Sequence, residues 1–521
     1  MDTETIINTF ESSLQYITDT IHNRERLQKV GAVAAISVAT YLVTSKLYDA
    51  FLGPLSGIPG PLIMKFVDAR FSGDMEKTPG TSYRSFMKWQ NTYGQIVRIG
   101  PKHISVSNKE MLKQVLQKDD ITKGPAYERL HLHGGINMFN TVNKDFHKQR
   151  RRVVSPAFSV KYLNSLEPYM IDMTEAFLNR MDNDIGKTRG SGDYGIVDIW
   201  ALLQYLALDI IGETAFGSTF NMLEGNDHLV PRNITKTMET GTYIMAHPIL
   251  GPIKALFSLG DVMSAVHELQ AFMKKIIIER IEGGEKARRN DILQILIDTQ
   301  KAKEADDRLT ADAIAHETVL FLIAGSETTS NTTGFAIYEL LKNPHTLSAL
   351  RAEIDAVPME PGQKYFHHDQ LKHLPYLNAV IDETLRLDPI SVNGMERRAD
   401  HDIVLGGNLV VPKGTVVHCN SYHAHINPDY WPEPTKFMPE RWLEGSSTPA
   451  DTSAFFPYSI GSRNCIGKAF AQQEMRLSIA HIVKLYDIQP IPQEMEDAKE
   501  RRSFVTLAVK KNSFKIQAKR R

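Results

Sequence analysis

Cysteine is almost absent from this chain: Cys419 and Cys465 are the two thiols in 521 residues. Two thiols so far apart in sequence provide no disulfide framework, and the low count fits a reducing compartment. They also exclude a cysteine-rich zinc or iron–sulfur centre built within the chain. Net charge is lacking as well. With 60 basic against 61 acidic residues the formal charge is −1, so nothing global directs the protein to nucleic acid or to an acidic substrate. Fixed-period repeats and long low-complexity tracts are missing, which excludes solenoids and biased-composition arrays. No flavin- or nicotinamide-binding motif stands out. What is present is ordinary for a globular protein. Hydrophobic residues make up 42% and charged residues 23%, in a chain long enough to bury a large core.

One apolar stretch stands apart. Val30 to Thr44 are almost free of charge, and apolar character resumes after Lys46 through Leu55. The continuous run is shorter than the roughly 20 residues that span a bilayer, but Lys46 near its end can snorkel to the interface. A membrane anchor, a signal peptide and a buried core helix compete as readings. The late start of the run and the lack of an obvious small-residue cleavage site argue against a signal peptide. The expectation is an extension over 1–29, an anchor over 30–52 and a stiff Gly/Pro hinge over 53–61. The hinge contains Leu55-Ser-Gly-Ile-Pro-Gly-Pro61 and would set a domain at a fixed angle to the membrane. Flanking charge does not settle orientation: Arg24, Arg26 and Lys29 precede the run, and Lys46, Lys65 and Arg70 follow it.

Residues 62–521 read as one large domain. Over 62–120 a helix and short strands are expected, with strand-like alternation in Gln95-Ile-Val-Arg-Ile-Gly100 and His103-Ile-Ser-Val106. From Asp145 to about residue 300 the pattern is mostly helical, broken near 186–195 and 224–232. Helices are expected over 310–342, 344–356 and 375–388, and short strands over 400–420 with Gly406-Gly407 and Pro412-Lys-Gly414 as turns. Residues 425–460 are rich in Pro and aromatics and lack periodicity. A helix follows Cys465 to about Leu485, and strand-like pieces close the chain. The fold class is mainly α (α+β).

The chemistry concentrates around Phe455-Phe-Pro-Tyr-Ser-Ile-Gly461-Ser-Arg463-Asn-Cys465-Ile-Gly467-Lys-Ala-Phe-Ala471. A helix beginning just after Cys465 offers free N–H groups and a positive end to a thiolate. Gly461 and Gly467 remove side chains where a flat cofactor approaches the backbone, and Arg463 suits a carboxylate. A structural cysteine beside a glycine turn is the alternative, and for a lone cysteine the commoner one. The stretch resembles the heme-binding loop of the cytochrome P-450 family, F-x-x-G-x-R-x-C-x-G, at every fixed position except the first, where Tyr458 replaces Phe. The wider resemblance covers about residues 55–515. It implies the cytochrome P-450 fold, a large helical domain with small β-sheets behind an anchor. It further implies heme b with Cys465 as axial ligand to the iron. A thiolate in that position pushes electron density onto the metal and favours O–O cleavage.

Thr310 is a good N-cap for the helix through Leu341, which Asn343-Pro344 ends. Its middle, Ala324-Gly325-Ser326-Glu327-Thr328-Thr329, breaks local rules with a glycine and polar groups inside an apolar stretch. Gly325 would open room for a diatomic ligand, Thr328 would hydrogen-bond it and Glu327 would relay protons. A kink stabilised by hydroxyl back-bonding is the alternative. The six residues resemble the family's A/G-G-x-D/E-T-T/S motif without departure, which implies an intact acid–alcohol pair.

Glu383-Thr-Leu-Arg386 places opposite charges at i, i+3, by default a surface pair worth little. The segment resembles the family's E-x-x-R helix, and Phe437-Met-Pro439-Glu440-Arg441-Trp442 resembles its P-E-R-F segment. The resemblance implies a buried network of Glu383, Arg386 and Arg441 that positions the cysteine loop. His147-Lys-Gln-Arg-Arg151 resembles the W-x-x-x-R helix with His147 in the Trp position, making His147 and Arg151 heme-propionate partners. Arg397 lies where the family often supplies another, with Arg398 adjacent. As bare sequence, each is equally a solvated charge.

The basic run Lys144, Lys148, Arg150, Arg151 and Arg152 reads as a solvated helix face or, by resemblance, as part of the side where an acidic electron donor docks. The resemblance implies NADPH–cytochrome P-450 reductase as donor, so that NADPH acts indirectly, with cytochrome b5 as a further partner. It implies an endoplasmic-reticulum membrane with the catalytic domain cytosolic, and a hydrophobic substrate: a steroid, terpenoid or fatty acid. Pocket walls would come from Tyr127–Asn140, residues 236–250, Phe321, Ala324, Ser391–Gly394 and the turn near Phe504. The loops look most like those of fungal microsomal members. A hydroxylating monooxygenase is the expectation. A reductase-independent isomerase or dehydratase, and a non-catalytic heme- or lipid-binding protein, are the alternatives.

Overall fold

In the computed structural model, residues 3–22, 24–72, 75–76, 78–129, 135–226, 228, 233 and 250–521 are described. The helices include α1 (Thr3–His22), α2 (Arg24–Phe51), α3 (Lys144–Val154), α4 (Glu167–Thr188), α5 (Ile199–Ile211), α6 (Leu250–Gly283), α7 (Ala311–Lys342), α8 (Pro344–Asp355), α9 (Pro375–Leu387) and α10 (Lys468–Leu485). Thr310 caps α7 as expected, its hydroxyl accepting from the Ala313 N–H at 3.2 Å. The 32 residues of α7 make a rod of ~48 Å at about 1.5 Å per residue. It packs against α5, α6, α9 and α10, so most of its faces are buried.

Four small sheets surround the helices. Strands β1 (Ile96–Gly100), β2 (His103–Val106), β3 (Thr122–Lys123), β4 (Gly195–Asp198), β5 (Met395–Arg398), β6 (Ile403–Leu405), β7 (Leu409–Val411), β8 (Val416–Cys419), β9 (Tyr486–Pro490), β10 (Arg501–Ser503), β11 (Leu507–Val509) and β12 (Lys515–Arg520) form them. The largest has the order β1-β2-β8-β5-β3, and β4-β12-β9 make a second. The β6–β7 hairpin turns through Gly406 and Gly407, whose φ values of 58° and 86° suit glycine. In the break near 224–232, residues 224–225 close a turn, while 227 and 229–232, like 236–249 of the expected wall, lie outside the described residues.

Among the described residues, two helices are long and apolar enough to cross a membrane. The window Ile199–Phe216 is 78% buried and belongs to the core, whereas Leu27–Phe51 is exposed except toward its last turn, where Ala50 is buried. The segment expected as a hinge packs onto the sheet: Leu55 and Ile58 join a buried cluster with Ile104 and Val417, and Arg98 N–H donates to Pro59 O at 2.7 Å. The Arg98 side chain, 1% exposed, donates to Asp49 O at 2.9 Å, Pro101 O at 2.8 Å, Leu55 O at 3.2 Å and Ala50 O at 3.4 Å. A guanidinium from β1 thereby caps the carbonyl end of α2, where a cation also complements the helix dipole.

Candidate active site

The loop before α10 is fixed at both ends. Cys465 N–H donates to Tyr458 O at 2.8 Å, which folds the loop back on itself. Arg151, from α3, donates Nη1 to Asn464 O at 2.6 Å and Nη2 to Asn464 Oδ1 at 2.5 Å. Arg151 is thus committed to the residue beside the cysteine, a role the propionate expectation did not include. Burial pushes the Cys465 thiol up, while the Gly467 N–H, Arg151 and Lys468 pull it back towards the anion. Cys419 differs. On β8 and fully buried, its thiol is pushed up to about 12, chiefly by burial.

Two glycines face differently from the expectation. Gly461 has φ +77°, and a Cβ there would lie 2.2 Å from Leu116 O, so the turn and a close backbone contact require it. Gly325 turns its missing side chain toward Ile211 of α5, 3.0 Å from Cδ1, a packing constraint rather than a ligand opening. Gly467 does face open space, with Cys465 Sγ, 3.9 Å away, as the neighbour of a built Cβ.

Around this loop stands a group of basic side chains. His147 is 4% exposed. Burial, then Arg463, Lys123, Arg151 and Arg397, drive its pKa down to about 3, so it is neutral. Arg397 is 2% exposed, whereas Arg398 is half-buried and pairs with Glu128 at 3.9 Å. The β5 register therefore turns Arg397 inward. Lys123 was not foreseen. Antiparallel pairing of β3 with β5 sets it opposite Arg397, and burial, then Arg463 and Arg397, hold its ammonium well below the usual range. Arg463 Nη1 is buried without a partner. Five basic side chains in one interior region repel one another, and an anion among them would offset that repulsion.

On α7, Ala324 is exposed although it sits mid-helix, two residues from buried Leu322 and buried Ser326. Cys465 is likewise accessible although protein atoms crowd it. Free surface at interior points marks an internal cleft. Thr328 Oγ1 donates to Ala324 O at 2.6 Å, the back-bonded rotamer. Glu327 Oε2 accepts from Thr506 Oγ1 at 2.8 Å, so the carboxylate engages the turn between β10 and β11. Phe321 is buried against Phe158, ring centroids 5.1 Å apart.

The charge network is buried. Arg386 donates to Glu383 Oε2 at 2.8 Å and Oε1 at 2.7 Å. Arg441 Nε and Trp442 Nε1 donate to the same carboxylate at 3.1 and 3.0 Å. Glu383, Arg386 and Arg441 are at most 1% exposed, so the surface-pair default does not apply. Arg386 also donates to His425 O at 2.9 Å, and His425 Nε2 accepts from Phe456 N–H at 2.8 Å. That imidazole, held neutral by burial and by Arg386 with a pKa down to about 3, joins the network to the cysteine loop. No short-range pattern in the sequence singles it out.

A carboxylate-bearing flat group suits these residues: a thiol beside open space at Gly467, an unpartnered guanidinium and clustered cations. Comparison with known proteins agrees. The sequence model of the Cytochrome P450 family matches residues 57–518. The chain is 28% identical to cytochrome P450 monooxygenase FUS8 of Gibberella moniliformis over 98% of its length and 97% of the relative's. It is 30% identical to cytochrome P450 monooxygenase LUC2 of a Fusarium species over 92% and 91%. It is 28% identical to benzoate 4-monooxygenase bphA of Aspergillus niger over 76% and 81%. The chain belongs to the cytochrome P450 family of heme-iron oxidoreductases and is a monooxygenase of that family.

Proposed function

We propose that the protein hydroxylates an unactivated C–H bond of a hydrophobic small molecule, with a bulky lipid such as a steroid ahead of terpenoids and fatty acids. Electrons come from NADPH through NADPH–cytochrome P-450 reductase, with cytochrome b5 as a second donor. α2 anchors it in the endoplasmic-reticulum membrane, with residues 62–521 on the cytosolic side. The reading rests on the cationic cluster around an accessible interior thiol.

The Cys465 thiolate would hold the heme iron, and the heme would supply one-electron and O₂ chemistry. Arg463, Arg397 and His147 would hold its propionates, while Arg151 fixes Asn464 and adds positive charge beside Cys465. Glu327, which accepts a hydrogen bond from Thr506, is placed beside the cleft to relay protons. The Thr328 hydroxyl, which donates to Ala324 O, would be the hydrogen-bond donor next to Glu327 along α7. Buried apolar walls such as Phe321 exclude water and favour an apolar substrate.

The test is turnover by the full-length protein in membranes with reductase and NADPH. The panel comprises steroids, terpenoids and fatty acids, plus an aromatic acid because one relative is a benzoate 4-monooxygenase. Reductase-dependent hydroxylation is expected. Product from a hydroperoxide without NADPH would indicate an isomerase or dehydratase. Neither product nor a substrate-induced spin shift would indicate a binding protein.

A further inference from the structure

Helix α1 has no part in the site, yet it carries an ordered apolar face. At ~100° per residue, Ile6, Ile7, Phe10, Leu14 and Ile17 fall within one arc of about 100°. All five are exposed, from 48% at Leu14 to 67% at Phe10. Asn8, Ser12, Gln15 and Asp19 fall on the opposite side and Glu11 on the flank, all exposed. Tyr16, 63% exposed, lies about 130° from the centre of that arc, on the polar side.

Two properties select the occupant of this face. First, α1 ends at His22 and α2 begins at Arg24, so the apolar face adjoins the apolar span Leu27–Phe51. Second, residues 1–23 hold four carboxylates and no Lys or Arg. Spacing at 7, 10, 14 and 17 also fits a helix-pair seam. That seam covers fewer than three heptads, and without basic residues it lacks the ion pairs that fix such partners. Glu11 and Asp19 make α1 a poor spanning helix.

We infer that α1 lies flat in the lipid interface, its Ile6–Ile17 stripe in the acyl boundary, on the side of the bilayer opposite the catalytic domain. This rests on the reading of α2 as the anchor. Because its polar side carries carboxylates, burial of apolar surface drives its contact, and anionic lipid does not strengthen it.

Depth-dependent fluorescence quenching tests this on the full-length holoenzyme in phosphatidylcholine vesicles, with single labels at Leu14→Cys, Ser12→Cys or Ile36→Cys. The Leu14 label is expected to be quenched by nitroxide lipids labelled near the headgroup more than by those labelled near the chain end. The Ser12 label should respond to an aqueous quencher, and the Ile36 label to the deep nitroxide. Phe10→Glu/Ile17→Glu should abolish lipid quenching at Leu14 and leave Ile36 unchanged. Added phosphatidylserine should not raise the Leu14 signal. An aqueous Leu14 label with a deep Ile36 label would overturn the inference alone, and an aqueous Ile36 label would overturn the anchor reading. A Leu14 label shielded from both quenchers would indicate a second copy, and a deep one a second span.

Discussion

The thiols of Cys465 and Cys419 share a side chain and differ in surroundings. Cys465 borders an internal cleft with an N–H and two cations beside it; Cys419 is sealed in β8 with burial opposing ionisation. Cys465→His should abolish the red-shifted absorption of the reduced carbon monoxide complex. Cys419→Ala should retain that spectrum and lose about 1 kcal/mol of stability, from a small cavity. Retention of the thiolate spectrum by Cys465→His would sink the ligand assignment.

At the scale of elements, the Glu383 carboxylate gathers α9, the 432–442 segment and, through His425, the cysteine loop. Removing it leaves two guanidiniums buried, which costs about 3–5 kcal/mol. Glu383→Ala should therefore lose heme incorporation, read from the ratio of heme to protein absorbance, rather than change product pattern. His425→Ala orphans the Phe456 N–H at a cost of about 1–3 kcal/mol. It should raise the fraction of heme-free protein while residues 432–442 stay protected from hydrogen exchange.

The helices α7, α9 and α10 were legible because caps, prolines and apolar periodicity act over a few residues. Cys465, Glu383, Arg386 and Arg441 were legible through motifs. What stayed hidden depends on pairings between distant segments. Lys123 enters the cluster through β3–β5 pairing, Thr506 reaches Glu327 across the molecule, and His425 meets Phe456. The directions in which Gly325 and Gly461 face depend on Ile211 and Leu116, which no local pattern reveals.

Across the whole molecule, two sets of buried groups oppose each other. His147, His418, His425 and His481 are driven by burial to about 3–4, below their ordinary 6.5. The unfolded chain binds more protons there, so stability rises as pH climbs from about 3 to 6.5. Glu317 and Glu474 are raised by burial to about 7 and 8 from 4.5. The folded chain then binds more protons, so stability falls between pH 4.5 and 8. Thermal unfolding should show a maximum near pH 6–7. Glu474→Gln should flatten its alkaline side and raise the midpoint at pH 8, and an unchanged alkaline slope would contradict the assignment.

The Arg98 guanidinium that holds Asp49, Ala50 and Leu55 carbonyls leaves little freedom where α2 meets the sheet. Arg98→Met should expose residues 50–60 to proteolysis and cost about 1–3 kcal/mol for the orphaned carbonyls. With α2 in a bilayer, the clasp sets the tilt and height of the catalytic domain above the lipid. Encounters with a membrane-bound electron donor then become a planar search between bodies already upright. Much of the orientational entropy of docking is lost before the partners meet, and one buried side chain governs how much.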